Sequence, residues 1–461
     1  MKTPIALQEI SENSLFRKGD VFVLFGELFG RGYATGLLDE ARKAGMQIVG
    51  ITVGRRDEHN ALRPLNAEEL ADAETRLGGK IINIPVMAGF DLDAPADGPT
   101  PTDLLAGMTL ASWESDKLDW AYIEQCREIA TKRFTDALSQ VMAVLDDMIP
   151  AGRNVFFAHT MAGGIPKAKV FLVLANRIYK GTASRHMSSQ TLIDSDLGKL
   201  ILQNFDEVSA NTFAHLIDFS SAVRERIEAS GGQVRYTAYG YHGTGILIDG
   251  AYRWQTYTNY TQGYAKMRLE GIAEKAWAAG IKATVYNCPE IRTNSSDVFT
   301  GIELPLIPLL LALRKEGGGE WAQQQWQACQ ALMAVGFSVE DVIAKISELQ
   351  ASDVMVPFYD FSAWPLPNSQ AQADLTIGTS HEISQMHRDG KALISDHLSA
   401  LVVEATGKLI FGASSAPAGP VQWLNHDIVA RRLNASHERS GLSSSGKQRD
   451  SSATPSQFET A

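Results

Sequence analysis

The chain has 461 residues, 44% of them hydrophobic, with 42 basic against 53 acidic side chains and a net charge of −11. Such a chain can bury a large core spread over two or three domains, and its acidic balance argues against nucleic acid or an anionic membrane as the main partner. Three cysteines without Cys-x-x-Cys or Cys/His ligand spacing exclude a disulfide frame and a zinc site, so no metal is expected and a reducing cytoplasm is the natural setting. In chain order, the N-terminus shows no basic segment followed by an apolar core, the mark of a secretory signal. Residues 20–25 (Asp-Val-Phe-Val-Leu-Phe) then read as a buried parallel strand.

Gly26, Gly30 and Gly32 follow at once as Gly-x3-Gly-x-Gly, and Tyr33 to Ala44 reads as a helix stopped by Gly45. Gln47 to Val53 completes a strand–helix–strand unit. Gly26 allows a tight turn, while Gly30 and Gly32 let the backbone approach a diphosphate at the free N–H groups of the helix. After the second strand, Arg55 is the first choice and Arg56 the second for a 2′-phosphate, which favours NADPH over NADH, with Asp57 as a complication.

Lys80 to Met87 is a third strand with Asp91 or Asp93 beyond it, near where adenine would lie; 94–118 is an inserted loop and 119–147 a helix. The fourth strand, Asn154 to Thr160, runs into the small-residue turn Met161-Ala162-Gly163-Gly164, where Thr160, Ala162 and Gly163 can pass close to a cofactor ribose and nicotinamide. A segment at 167–190 carries several basic side chains and reads as a solvated surface, and one long helix is expected over 191–229, with Asn211 in its middle as a proton-relay candidate. Gln233 to Tyr239 and Lys282 to Asn287 are the fifth and sixth strands, with a hairpin between Gly240 and Thr256 and a helix at 262–279. Pro289, Ile291 and Thr293 follow the sixth strand, Thr293 being suited to a nicotinamide carboxamide. Ile302 to Leu313, the most apolar stretch, is interrupted by Glu303, Pro305 and Pro308 and falls short of the ~20 residues a spanning helix requires, so no membrane span is expected. Further helices are expected at about 302–315, 320–335, 338–350 and 378–406, and a polar, Ser-rich tail closes the chain.

Strands alternating with helices predict an α/β fold: a Rossmann-like, doubly wound parallel sheet with inserted helices and a C-terminal extension. Residues 1–335 are expected to form the nucleotide-binding domain, with insertions at 94–150 and 167–200. A helical extension at 336–437 would pack on it, and 438–461 would be a disordered tail.

Tyr257 and Lys266, in Tyr257-Thr-Asn-Tyr-Thr-Gln-Gly-Tyr-Ala-Lys266, supply a phenol and an ammonium. Beside a nicotinamide, such a phenol stabilises or protonates an oxyanion, while the lysine lowers its effective pKa and holds the ribose. Tyr239 or Tyr241 could supply a second phenol. The glycine turn, the Asn211 helix, the Tyr/Lys pair and the Thr293 loop stand in the order found in short-chain dehydrogenases/reductases. Ordinary members place three residues between the tyrosine and the lysine, where this chain has Gln262 at the tyrosine position. A gap of eight resembles the FabV type of enoyl-acyl-carrier-protein reductase. Phe156-Phe-Ala-His-Thr-Met-Ala-Gly-Gly164 and Ile291-Arg-Thr-Asn-Ser-Ser296 resemble the FabMG-like enoyl-acyl-carrier-protein reductases over nearly the whole chain.

The resemblance implies NAD(P)H-dependent reduction of a trans-2-enoyl thioester in fatty-acid biosynthesis. Its substrate would be an enoyl-acyl carrier protein or enoyl-CoA, in a cytoplasmic protein for which a homo-oligomer is allowed. The competing readings are a carbonyl or ketoacyl reductase of the same superfamily and a non-catalytic nicotinamide-nucleotide-binding protein.

Overall fold

The computed structural model describes residues 4–11, 14–30, 32–163, 169–178, 186–256, 260–293, 296 and 301–446. Seven strands form one parallel sheet: β1 (Val21–Gly26), β2 (Gln47–Thr52), β3 (Lys80–Ile82), β4 (Val155–His159), β5 (Val234–Tyr239), β6 (Ala283–Asn287) and β7 (Val421–Trp423). Their spatial order is β3-β2-β1-β4-β5-β6-β7. The order reverses between β1 and β4, and a Rossmann sheet opens its ligand crevice at that switch point, at the carboxyl ends of the strands. Both faces of the sheet are buried. Phe22, Leu24, Phe156 and Tyr286 face one apolar cluster, and Val23, Phe25, Phe157 and Tyr236 the other. This alternation explains why the strands read as nearly continuous apolar runs.

The six strands expected from the sequence are present, though β3 ends at Ile82, with the Val86 N–H donating once more to the Thr52 carbonyl of β2 (3.0 Å). The seventh lies in the C-terminal region and pairs with β6. Backbone bonds from Leu7 N–H to the Trp423 carbonyl (2.9 Å) and from Trp423 N–H to the Ile5 carbonyl (3.0 Å) lay the N-terminal segment along its outer side. The hairpin after β5 has arms at Thr244–Ile248 and Ala251–Gln255, turned by Asp249 and Gly250, both at positive φ.

The helix expected over 191–229 is broken. Ser195 ends one short helix and caps the next through the Gly198 N–H (3.0 Å). A π-helical turn spans Asp206–Asn211, and Thr212–Phe219 and Ser221–Ala229 then follow as separate helices. The C-terminal helix His426–Gly446 also runs into the segment expected to be disordered.

Four helices wall or brace the carboxyl edge of the sheet: α1 (Tyr33–Lys43), α2 (Thr212–Phe219), α3 (Gln262–Ala278) and α4 (Ile394–Ala413). α1 and α4 cross at two glycines. A β-carbon on Gly36 would lie 2.0 Å from the Val403 carbonyl oxygen, and one on Gly407 would lie 2.3 Å from the Gly36 carbonyl carbon. The C-terminal region therefore braces the first helix of the sheet from outside. Among the described residues no helix is long and apolar enough to cross a membrane.

Candidate active site

At the carboxyl edge of the sheet lies a cleft open to solvent. The glycine turn forms one wall. Gly26 takes φ +120, and a β-carbon there would sit 2.9 Å from the Met161 nitrogen, so only glycine brings the end of β1 under the end of β4. Gly30 and Gly32 line the cleft itself. A β-carbon on Gly32 would meet nothing within 4 Å and would only occupy open space in front of α1, whose first turn carries no acidic residue. Glu27 also lines this wall.

Tyr33, at the start of α1, reaches across. Its hydroxyl donates to the Pro289 carbonyl (2.7 Å) and its ring stacks on Tyr239 (5.5 Å). Tyr239 ends β5 and lines the cleft, and its hydroxyl is buried without a hydrogen-bond partner among the described residues. Burial, with Cys288 and Tyr286 nearby, pushes that phenol well above its ordinary range. Tyr241 and Glu290 line the same cleft, and burial pushes the Glu290 carboxyl up to about 8.

The third wall is α3, which presents Gln262 and Lys266. Lys266 is 8% exposed, and desolvation pulls its ammonium down to about 8. His159, the last residue of β4, is buried and pushed well below its ordinary range, first by burial and then by the Lys266 charge, so it is neutral. The Thr212 hydroxyl donates to the Val208 carbonyl (2.6 Å), which leaves His159 Nε2–H to donate to Thr212 Oγ1 (2.8 Å) and fixes the tautomer. Ser209 accepts from Gln262 Nε2 (3.1 Å) and donates to the Gly163 carbonyl (3.3 Å), tying the π-turn to the small-residue loop.

Of the residues singled out in the sequence, the fold gathers Gly30, Gly32, Thr160, Ala162, Tyr239, Tyr241, Lys266, Ile291 and Thr293 around this cleft. Thr160 is anchored by two bonds to the Phe25 carbonyl, from its N–H (2.8 Å) and its hydroxyl (2.9 Å). Gly26, Gly163 and Pro289 support the walls from behind. Tyr257 lies outside the described residues.

Asn211 is corrected: it lines a different groove, with Asp218, Arg268 and Lys275. The extra residue of the π-turn directs Ser209 and Thr212 to the strand ends, and Asn211, one position before Thr212, is rotated away by roughly 100°. Arg55, Arg56 and Asp91 sit past β2 and β3, outside the cleft lining. Arg56 is half spoken for: it approaches Asp93 (3.7 Å), which also holds Arg133 (2.8 Å), and it donates to the Asn60 carbonyl (2.5 Å). Asp91 accepts from Asn204 (3.2 Å), and burial pushes its carboxyl up. Arg55 is exposed and, among the described residues, has no carboxylate within ion-pairing distance.

The sequence reading passed over His159, Gln262, Ser209, Thr212 and Glu290. Glu290 alone gave a usable signal, as an acid three residues past a buried strand. No group of three or more His, Cys, Asp or Glu is arranged to hold a metal ion among the described residues.

A family model described as enoyl-acyl carrier protein reductase FabMG matches residues 3–433. Among solved structures, the chain is similar to an apo structure of FabMG, a novel type of enoyl-acyl carrier protein reductase, at 67% identity. That match covers 95% of this chain and 100% of the other, with a TM-score of 0.91. An NADH-bound structure of FabMG is 57% identical over 95% of this chain and 100% of its own, with a TM-score of 0.77. No curated protein matches the chain.

Proposed function

Since the chain belongs to the FabMG family of enoyl-acyl carrier protein reductases, oxidoreductases acting on a carbon–carbon double bond, we propose that its cleft binds a nicotinamide dinucleotide beside an enoyl thioester. One observation carries this reading: the glycine turn, Lys266 and the phenols of Tyr239 and Tyr241 face a single cleft. The residues present suit the dinucleotide. Gly32 leaves open space at a helix N-terminus, where a diphosphate is favoured, and the unpartnered Tyr239 hydroxyl is a donor awaiting an acceptor. The bound cofactor supplies the hydride. Lys266 holds the ribose and keeps a positive charge next to the phenols, while Tyr239 or Tyr241 donates to the oxyanion that develops on the thioester. Tyr257 remains a candidate for the same role. The acyl carrier protein is the expected partner and the cytoplasm the expected compartment.

The test is direct. Purified protein with crotonyl thioester should oxidise reduced nicotinamide, followed by absorbance, and should leave acetoacetyl thioester untouched. Turnover of the ketone alone would make it a carbonyl reductase, and nucleotide binding without any turnover would make it a sensor.

The NADH-bound relative supports NADH as the cofactor, and Arg55 bears on whether NADPH is also used. Arg55→Glu is expected to lower kcat/KM with NADPH by about tenfold to a hundredfold, the worth of one charge-assisted hydrogen bond, and to change NADH turnover little. Equal loss with both cofactors would remove Arg55 from ribose recognition.

A further inference from the structure

β1 and β6 stand three strands apart in the sheet, about 14 Å at the usual strand spacing. One side chain joins the segments that follow them. Tyr33 is the first residue of α1, and its hydroxyl donates to the carbonyl of Pro289, two residues past the end of β6 (2.7 Å). Pro289 is buried, which shelters this bond from water. Between the two ends the Tyr33 ring lies against Tyr239, with centroids 5.5 Å apart and planes 30° apart, a spacing at which aromatic rings attract. Both rings line the cleft. A single half-buried residue therefore touches the helix N-terminus where a diphosphate is favoured, the phenol that ends β5, and the loop that leads into Ile291 and Thr293.

The two contacts have separate chemical sources. The stack needs a flat ring, which phenylalanine would supply equally well. The bridge to Pro289 needs the hydroxyl. Tyr239, by contrast, has no partner for its own hydroxyl among the described residues. The aim of that ring is set by packing, and Tyr33 is the aromatic ring stacked on it among the described residues.

We infer that Tyr33 is a positioning residue for the reduction: its ring fixes the aim of the Tyr239 phenol, and its hydroxyl fixes the span from the glycine turn to the loop after β6. The inference rests on the enoyl-reductase reading and takes Tyr239 as the phenol that donates a hydrogen bond to the thioester oxyanion. Tyr33 itself moves no proton, because its O–H is engaged by a carbonyl that has no proton to return. The two contacts divide the labour. Loss of the bridge alone leaves the phenol aimed but loosens the loop, so cofactor binding weakens. Loss of the ring as well releases the phenol, so the chemical step slows.

The experiment uses the full chain and the variants Y33F, Y33L, Y239F and the double variant of Y33L with Y239F. Fluorescence titration with NADH gives affinity and the number of competent sites, and kcat on crotonyl thioester is expressed per competent site. Y33F should bind NADH about threefold to tenfold more weakly, the contribution of one neutral hydrogen bond, and keep kcat within about twofold. Y33L should in addition lose about tenfold or more in kcat. Y239F should lose about a hundredfold in kcat, and adding Y33L to it should cost nothing further, because the ring acts only through the phenol. Y33F removes one oxygen and keeps the bridge testable even where Y33L does not fold. A purely structural Tyr33 would lower the melting temperature and the number of competent sites while leaving affinity and kcat per site unchanged, and that result overturns the inference. Wild-type NADH affinity in Y33F, or losses in Y33L that multiply with those of Y239F, would overturn it as well. An undiminished kcat in Y239F would take the oxyanion away from that phenol and sink the inference while enoyl reduction stands. Wild-type protein that turns over no enoyl thioester would instead overturn the function on which the inference rests.

Discussion

Lys266→Met is expected to lower kcat/KM for enoyl reduction by about a hundredfold to a thousandfold, the loss typical of removing one pre-placed oxyanion-stabilising group. It should at the same time make the protein more stable. The lysine is 8% exposed and desolvation pulls its ammonium down to about 8 from 10.5. Below pH 8 the folded chain therefore carries a buried charge that the unfolded chain solvates freely, at a cost of roughly 3 kcal/mol. Between about pH 8 and 10.5 the unfolded state binds the proton and the native state does not, so wild-type stability rises with pH relative to the methionine variant. The stability gap should be widest at neutral pH and should close as pH passes 10.5. Denaturant titrations of both proteins at pH 7 and pH 10 measure it. A methionine variant less stable than wild type at pH 7 would mean that the ammonium is satisfied by partners, not simply buried. Activity moves the opposite way: it needs the charged lysine and should fall above about pH 8.

The second large effect concerns the glycine crossing. Gly36→Val should cost about 3 kcal/mol or more, because even its first added carbon would lie 2.0 Å from the Val403 carbonyl oxygen and no flexible side chain is there to yield. α1 would be forced off α4, and the glycine turn at its N-terminus would move with it, so nucleotide affinity should fall together with melting temperature. Gly32→Ala provides the contrast. Gly32 is in extended backbone (φ −179) that any residue can adopt, and its β-carbon meets nothing within 4 Å. That variant should fold as wild type does yet bind NADH poorly, because the added methyl enters the space left for the diphosphate. Calorimetry and fluorescence titration of the two variants separate a packing glycine from a ligand glycine. Similar melting temperatures for both would refute the distinction.

The sheet was legible in the sequence because its strands are buried on both faces and appear as unbroken apolar runs, as in Val21–Phe25 and Val155–Ala158. The glycine turn was legible because Gly26, at φ +120, demands glycine and Gly30 and Gly32 follow it at close spacing. β7 escaped notice because three residues, with Gln422 in the middle, carry no periodicity, and their role comes only from pairing with β6. The segment 191–229 was misread as one helix because its breaks come from serine caps and a π-turn, local hydrogen-bond choices that leave the apolar pattern nearly intact. The same π-turn decides which polar residues reach the site, so Asn211 was selected and Ser209 and Thr212 were missed. Arg55 was ranked ahead of Arg56 in sequence without a structural reason, and the folded network of Asp93 and Arg133 that engages Arg56 could not be read there.

The brace of α4 on α1 has a bearing on how the chain is made. Helix α1, at residues 33–43, finds its glycine-to-glycine partner only when residues 394–413 have been synthesised, and the sheet gains β7 at 421–423. Early segments can collapse onto one another, but the crevice between β1 and β4 stays unbraced for most of translation. Contacts of such long sequence separation form slowly, so closure of the crevice is expected late in folding.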